Sequence, residues 1–151
     1  MDPRNTLGHF HFSNIKSQIN RLEDKKHDSV AILGSGESGM GAALLAKSKG
    51  LNVFLSDSGA IESNKKQLLA DNGILFEENG HSIDELLKYN EIIKSPGIPE
   101  KVAVIKALRT AGKYIISEIE FAARYTNAKL VAITGSNGKT TTTLLTYHLL
   151  K

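Results

Sequence analysis

Two glycine-rich loops in this chain have the residue types and the spacing of phosphate-binding sites. The first, over residues 34–39, has the pattern Gly-x-Gly-x-x-Gly, and the second, over residues 135–141, ends in Gly-Lys-Thr-Thr. In loops of this kind, backbone N–H groups converge on an anion at the point where the following helix begins. Each loop therefore predicts a phosphate site, and the chain around it must supply a strand before the loop and a helix after it.

The second loop carries the groups that bind a nucleoside triphosphate. An apolar strand is predicted over residues 131–133, and a helix from Thr140 onward. Lys139 would reach the outer phosphates, and the Thr140 hydroxyl would bind Mg²⁺. The strict P-loop pattern requires a glycine where Ile133 stands, so a glycine–asparagine turn before a threonine-rich helix is the alternative.

The first loop meets the structural context of a nucleotide diphosphate site. It follows a predicted strand and opens a predicted helix, and Asp57 comes just after the second predicted strand, where a carboxylate accepts hydrogen bonds from a ribose. NAD, FAD and a UDP-sugar all present a diphosphate and a ribose, so these residues do not choose among them. A glycine-rich turn that serves only helix–strand packing is the other interpretation.

A third loop, Ser95-Pro96-Gly97, also follows a predicted strand. Proline stiffens such a segment and glycine lets a ligand approach the backbone. The loop could close over a ligand that the first loop binds, or it could be a plain turn.

Strand-like and helix-like stretches alternate from residue 29 onward. The predicted strands cover residues 30–33, 52–56, 74–76, 91–94 and 114–117, and the predicted helices cover 39–49, 60–72, 82–89 and 101–111. Ser82 and Glu85 have the spacing of a capping box at the start of the third helix. This alternation predicts an α/β fold, a Rossmann-like doubly wound and mainly parallel five-stranded sheet with helices on both faces.

Composition narrows the class of protein. The chain has 151 residues, 40% of them hydrophobic and 23% charged, with a net charge of +3 and no cysteine. A charge this small, from scattered basic residues, does not indicate nucleic-acid binding. The absence of cysteine excludes disulfides, and no stretch has the pattern of a membrane span or a signal peptide. We expect a monomeric cytoplasmic protein that binds neither nucleic acid nor membrane.

Four segments together carry a resemblance to a known family. They cover residues 31–39, 94–99, 116–121 and 133–141, and in this order and spacing the chain resembles the start of a Mur ligase, one of the ATP-dependent amide ligases of peptidoglycan synthesis. Ser136-Asn137 and the Ser-Pro-Gly-Ile run at 95–98 agree with the branch that adds D-glutamate to UDP-N-acetylmuramoyl-L-alanine. The resemblance begins near residue 29.

The resemblance implies a role for each loop. The diphosphate would lie on the first loop, the uridine near Asp57 and Ser58, and the uracil side under the third loop. The implied UDP-substrate residues are Gly34, Ser35, Gly36, Glu37, Ser38, Asp57, Ser58, Ser95, Pro96 and Gly97. The implied ATP residues are Gly135, Ser136, Asn137, Gly138, Lys139, Thr140 and Thr141, with Lys139 on the phosphates and Thr140 on Mg²⁺.

The implied reaction is the phosphorylation of the substrate carboxylate by ATP, followed by attack of the D-glutamate amine. The family's metal-binding glutamate, histidine and modified lysine lie beyond the P-loop, and its D-glutamate site lies mostly in a third domain. We therefore expect an N-terminal extension over 1–28, a UDP-substrate domain over 29–127 and the start of an ATP-binding domain over 128–151. The catalytic set is incomplete, and we expect these 151 residues alone to bind the UDP-sugar weakly without turnover. The last strand and helix should fray or pack opportunistically.

Two other classes remain open. A module that binds NAD or FAD would explain the first loop and Asp57 but would leave the second and third loops unused. A non-enzymatic nucleotide-binding domain is the other alternative.

Overall fold

Five parallel strands form one sheet in the computed structural model, which describes residues 28–129 and 131–151. The strands are β1 (Ser29–Leu33), β2 (Asn52–Ser56), β3 (Leu75–Glu77), β4 (Glu91–Lys94) and β5 (Tyr114–Ser117). Their order across the sheet is β3-β2-β1-β4-β5, and every pair is parallel. This confirms the predicted fold class.

Helices connect successive strands and cover both faces. The connecting helices are α1 (Glu37–Ser48), α2 (Ser63–Asp71), α3 (Ile83–Leu86) and α4 (Ala103–Thr110). After the last strand come α5 (Glu118–Ala123) and α6 (Lys139–Leu150). Parallel strands require such crossover connections, which explains the strict alternation along the chain.

Alternate residues of the central strands enter two separate hydrophobic cores. Val30 and Ile32 of β1 pack in one core with α1 and with Phe121 of α5, whereas Ala31 and Leu33 pack in the other with Leu108 of α4. Side chains of a strand alternate between its faces, so β1 is apolar and buried over residues 30–33 because both faces are covered.

The third helix is shorter than predicted. It covers Ile83–Leu86 rather than residues 82–89, because the N–H groups of Lys88 and Tyr89 bind the carbonyls of Glu85 and Leu86, three residues back, and so tighten the chain out of the α-helix. The predicted capping box is also wrong. Ser82 precedes the helix but its side chain makes no cap hydrogen bond, and its backbone N–H donates to a Glu77 carboxylate oxygen at 2.9 Å.

The strand predicted over residues 131–133 is absent from the described part of the chain. Residues 131–138 have no helix or strand, because a strand needs a neighbour to pair its backbone groups and none of the described strands lies beside it. The helix predicted after it does form, but α6 has no buried residue. We expected this helix to fray or to pack opportunistically. It is regular over its 12 residues and its leucines are exposed rather than packed on the sheet, and fraying stays a prediction.

Two further observations bear on the predictions. The predicted N-terminal extension, apart from Asp28, lies outside the described residues. None of the helices described is both long and apolar enough to cross a membrane.

Candidate functional site

The candidate site lies where the strands of the sheet end at one level. Leu33, the last residue of β1, pairs with Ser56 and with Lys94, the last residues of β2 and β4. The N–H of Gly34 donates to the Ser56 carbonyl at 2.8 Å, and the N–H of Ser95 donates to the Leu33 carbonyl at 3.1 Å. The loops after β1, β2 and β4 therefore begin side by side. Chain order reverses between β1 and β4, which is the place where α/β sheets bind ligands.

Only glycine fits two positions of the first loop. Gly34 has φ +100°, and a Cβ there would lie 2.9 Å from the Ser95 Oγ. A Cβ at Gly39 would lie 2.0 Å from the Gly34 carbonyl oxygen. The start of α1 therefore packs directly on the loop before it and beside the third loop. No side chain caps α1, so its first N–H groups and its dipole remain directed at this edge.

Asp57 ties the first loop to the loop after β2. Its Oδ2 accepts hydrogen bonds from the backbone N–H and the hydroxyl of Ser35, both at 2.6 Å, and its Oδ1 accepts one from the Gly59 N–H at 2.8 Å. Partial burial raises the pKa of Asp57. These hydrogen bonds, together with a smaller electrostatic effect of His81, outweigh burial and hold the pKa of Asp57 below its ordinary value. Asp57 is therefore an ionised acceptor fixed in place.

Ser95 places an unsatisfied hydroxyl against the first loop. Its Oγ is buried and has no hydrogen-bond partner in the part of the chain that the structure describes. Leaving such a group unpaired costs about 1–3 kcal/mol. The same oxygen would touch a Cβ at Gly34 and one at Gly39, so it points at the start of α1, where an anion would supply the missing partner.

Lys94, the last residue of β4, holds the third loop in position. Its ammonium donates to the Ile98 carbonyl at 2.7 Å and lies 3.4 Å from a Glu100 carboxylate oxygen. The N–H of Ile98 also donates to the Ser95 carbonyl at 3.1 Å. The loop at 95–99 is therefore a folded turn with its position set by β4.

An open cleft of about 470 Å³ lies beside these loops. Its lining comprises Ser58, His81, Ile83, Gly97, Ile98, Pro99, Val102, Ala103 and Val104. Two of the predicted residues, Ser58 and Gly97, thus face one cavity. Only Ser58 and His81 among the lining residues have polar side chains, so the cleft offers apolar surface to a flat ring and few groups to orient it.

His81 was missed by the sequence analysis. It belongs to a polar network in which Ser56 Oγ lies 2.6 Å from His81 Nδ1 and 2.7 Å from Glu77 Oε1. Burial lowers the pKa of His81 more than the nearby Glu77 and Asp57 raise it, so the ring is neutral near pH 7. Burial raises the pKa of Glu77, but hydrogen bonds from Ser82 and Ser56 outweigh it and lower that pKa overall. His81 comes shortly after β3, at the carboxyl edge of the sheet, and this position is the signal that could have identified it.

Ser38 has a partner that the sequence did not predict. Its hydroxyl donates to a Glu118 carboxylate oxygen at 3.1 Å, and Glu118 is buried at the start of α5. The contact joins α1 to α5 at the candidate site. The remaining predicted residues of this site lie at its surface, namely Gly36, Glu37 and Pro96.

The second loop stands apart from the first. The Lys139 ammonium folds back onto the loop and donates to the Gly135 carbonyl, with a longer contact of 3.4 Å to the Ser136 carbonyl. Thr140 is exposed in the first turn of α6, and no side chain caps that helix. Among the described residues, no hydrogen bond or ion pair joins residues 135–141 to the first or third loop.

Comparison with known proteins finds a family match over the first four strands. Residues 29–104 match a family model described as the MurD N-terminal domain. The chain is similar to the UDP-N-acetylmuramoylalanine–D-glutamate ligase of Bacteroides fragilis, with 55% identity over 122 residues that cover 81% of this chain and 28% of that protein. It is 52% identical over 129 residues to the ligase of the same name from Porphyromonas gingivalis, covering 85% of this chain and 28% of that one. The chain thus spans 28% of the length of these relatives.

Two solved ligase structures have similar folds. The murein peptide ligase Mpl of Psychrobacter arcticus superposes with a TM-score of 0.61 and 27% identity, over 81% of this chain and 26% of that one. The UDP-N-acetylmuramate–alanine ligase MurC of Thermotoga maritima superposes with a TM-score of 0.55 and 28% identity, over 81% of this chain and 29% of that one.

Proposed function

Because the chain belongs to the MurD family, we propose that it is the N-terminal part of an ATP-dependent ligase that adds D-glutamate to UDP-N-acetylmuramoyl-L-alanine in bacterial peptidoglycan synthesis. In this proposal residues 29–127 bind the UDP portion of the substrate. The relatives are named for that ligase activity, and they support the reaction. The loops at the carboxyl edge support the site.

The observation that carries the proposal is the buried Ser95 hydroxyl at the start of α1. It has no protein partner among the described residues and lies against Gly34 and Gly39, where an added Cβ would come within 2.9 and 3.3 Å of it. A diphosphate there would accept hydrogen bonds from the Ser95 hydroxyl and from the N–H groups of residues 36–38, and would interact with the α1 dipole, while the Ser35 N–H stays on Asp57. Asp57 would accept from the ribose, and the base would enter the cleft between Ser58 and Gly97.

The second loop would bind ATP and Mg²⁺ in the complete enzyme. Support for ATP binding comes from α6, a helix of 12 residues that no side chain caps. It has a lysine at its first position, followed by exposed threonine residues. ATP supplies the phosphoryl group that activates the substrate carboxylate. Lys139 would turn from the Gly135 carbonyl to the phosphates and neutralise charge, and Thr140 would give Mg²⁺ an oxygen ligand. Cytoplasmic location belongs to the same proposal.

Calorimetric titration of the 151-residue chain tests the proposal. UDP-N-acetylmuramoyl-L-alanine should bind more tightly than NAD⁺, because in this proposal a UDP-sugar contacts the first loop, the third loop and the cleft at the same time. The variant Ser95→Ala should weaken that binding. Preference for NAD⁺ would identify the chain as a dinucleotide-binding module and refute the proposal. Ligase turnover by these 151 residues alone would contradict the expected incomplete catalytic set.

A further inference from the structure

His81 stands at the boundary between the protein interior and the cleft. Its Nδ1 edge faces the Ser56 hydroxyl, and Ser56 is fully buried. His81 also lines the cleft, together with Gly97 and Ile98 of the third loop. Since Nδ1 is directed inward, the opposite edge of the ring, with Nε2, is directed outward.

The Ser56 hydroxyl has one hydrogen and three neighbours. Glu77 Oε1 lies 2.7 Å away and the Gly80 carbonyl 3.5 Å away, and both can only accept. If Ser56 donated its hydrogen to His81, no hydrogen would lie between the Ser56 oxygen and the acceptor oxygens of Glu77 and Gly80. Ser56 therefore donates to Glu77, and His81 Nδ1 must carry a proton that it donates to Ser56.

This assignment fixes the chemistry of Nε2. In a neutral imidazole one nitrogen donates and the other accepts, so a proton on Nδ1 leaves Nε2 with a lone pair. Nε2 makes no hydrogen bond to the described residues, and it is not among their buried unpaired atoms, of which the Ser95 Oγ is the sole example. The cleft thus has an acceptor of fixed type on a wall that is otherwise mostly apolar.

We propose that His81 selects the base of the bound nucleotide by accepting, at Nε2, the hydrogen bond of the imide N3–H of uracil. The proposal rests on the proposed function, in which a uridine diphosphate occupies the cleft. Uracil donates at N3, whereas the ring nitrogens on the corresponding edges of cytosine and adenine are acceptors and would face the Nε2 lone pair. Ser56 and Glu77 are positioning residues, because they determine which nitrogen of His81 is protonated.

The binding test compares UDP with 3-methyl-UDP, in which the N3 donor is replaced by a methyl group. The 151-residue chain should bind UDP at least about tenfold more tightly, the size of one lost hydrogen bond together with an unpaired acceptor. His81→Phe keeps a ring of similar shape without nitrogen and should bring this ratio towards one. Ser56→Ala should also lower the ratio, while His148→Phe, at an exposed histidine of α6, is the matched control and should leave it unchanged.

A ¹⁵N NMR spectrum of the histidine rings tests the proton assignment without ligand. The His81 signals, assigned by their loss in His81→Phe, should show a protonated Nδ1 and an unprotonated Nε2, and the Nε2 shift should move on UDP addition and not on 3-methyl-UDP addition. A proton on Nε2 would overturn the inference. UDP binding with an equal ratio in wild type and His81→Phe would overturn the inference and leave the proposed function intact. Failure of UDP to bind while NAD⁺ binds would overturn both.

Discussion

Two glycines of the same helix should respond in opposite directions to alanine. Gly39→Ala would place a Cβ 2.0 Å from the backbone carbonyl oxygen of Gly34, about 1.4 Å closer than the 3.4 Å at which ordinary contacts begin. That oxygen belongs to backbone held by the hydrogen bond from the Gly34 N–H to Ser56, so the helix and the first loop must separate. Overpacking of this kind costs about 1–3 kcal/mol or more.

Gly41→Ala is the matched control. Gly41 lies inside α1 with open space around its Cβ position, so alanine should stabilise the helix by about 0.5–1 kcal/mol. The two variants should therefore differ by at least about 1.5–4 kcal/mol, or roughly 6 °C or more in Tm for a domain near 100 residues. Thermal unfolding followed by circular dichroism measures the difference, and titration with UDP should show weaker binding for Gly39→Ala alone. Equal Tm values for the two variants would refute the packing of α1 on the first loop.

Three further predictions follow from the contacts at and near the site. Ser95→Ala removes a buried hydroxyl that has no partner among the described residues. In urea unfolding, the free protein should therefore be as stable as wild type or about 1 kcal/mol more stable, and its affinity for UDP should fall about tenfold. A large loss of stability would show that Ser95 has a protein partner. Arg124→Ala should lower the free energy of unfolding by about 3 kcal/mol, because Arg124 pairs with both carboxylate oxygens of the buried Glu91 at 2.7 and 2.8 Å. Arg124→Lys should recover only part of that stability. An alanine variant as stable as wild type would contradict this prediction. Since the folded protein holds the pKa of His81 below the ordinary 6.5, the unfolded chain takes up that proton first and stability should fall as pH drops below 6.5. His81→Phe should flatten this part of the curve, and an unchanged slope would be evidence against the burial of His81.

The fold was predictable from local pattern. Apolar runs such as β1 and β2 alternate with helical stretches, and helices end near Gly50 and Gly112, as the structure has them. The wrong strand at residues 131–133 shows the limit of this reasoning, since β-branched residues indicate a strand but pairing depends on a neighbour distant in sequence. The early end of α3 has the same kind of cause, because its last turn is tightened by three-residue hydrogen bonds.

The candidate site was predictable where glycines follow strands. The first and third loops and Asp57 meet at one edge because parallel strands end together there. The Ser56–Glu77–His81 network joins residues from β2, β3 and the loop after β3 through side-chain contacts, which no local pattern records. The unpaired state of the Ser95 hydroxyl is likewise a property of packing. Sequence reasoning therefore predicted the two loops and Asp57, which meet at this edge, and missed His81, which lines the cleft.

We propose that a uridine diphosphate binds at the edge formed by the first loop, the third loop and the cleft. Titration of the ¹⁵N-labelled chain with UDP, followed by two-dimensional NMR, locates the binding site residue by residue. We predict that backbone shifts concentrate at residues 34–39, 57–59, 81 and 95–99. Shifts confined to residues 135–141, or an equal response to NAD⁺ at the first loop, would refute a uridine diphosphate site at this edge.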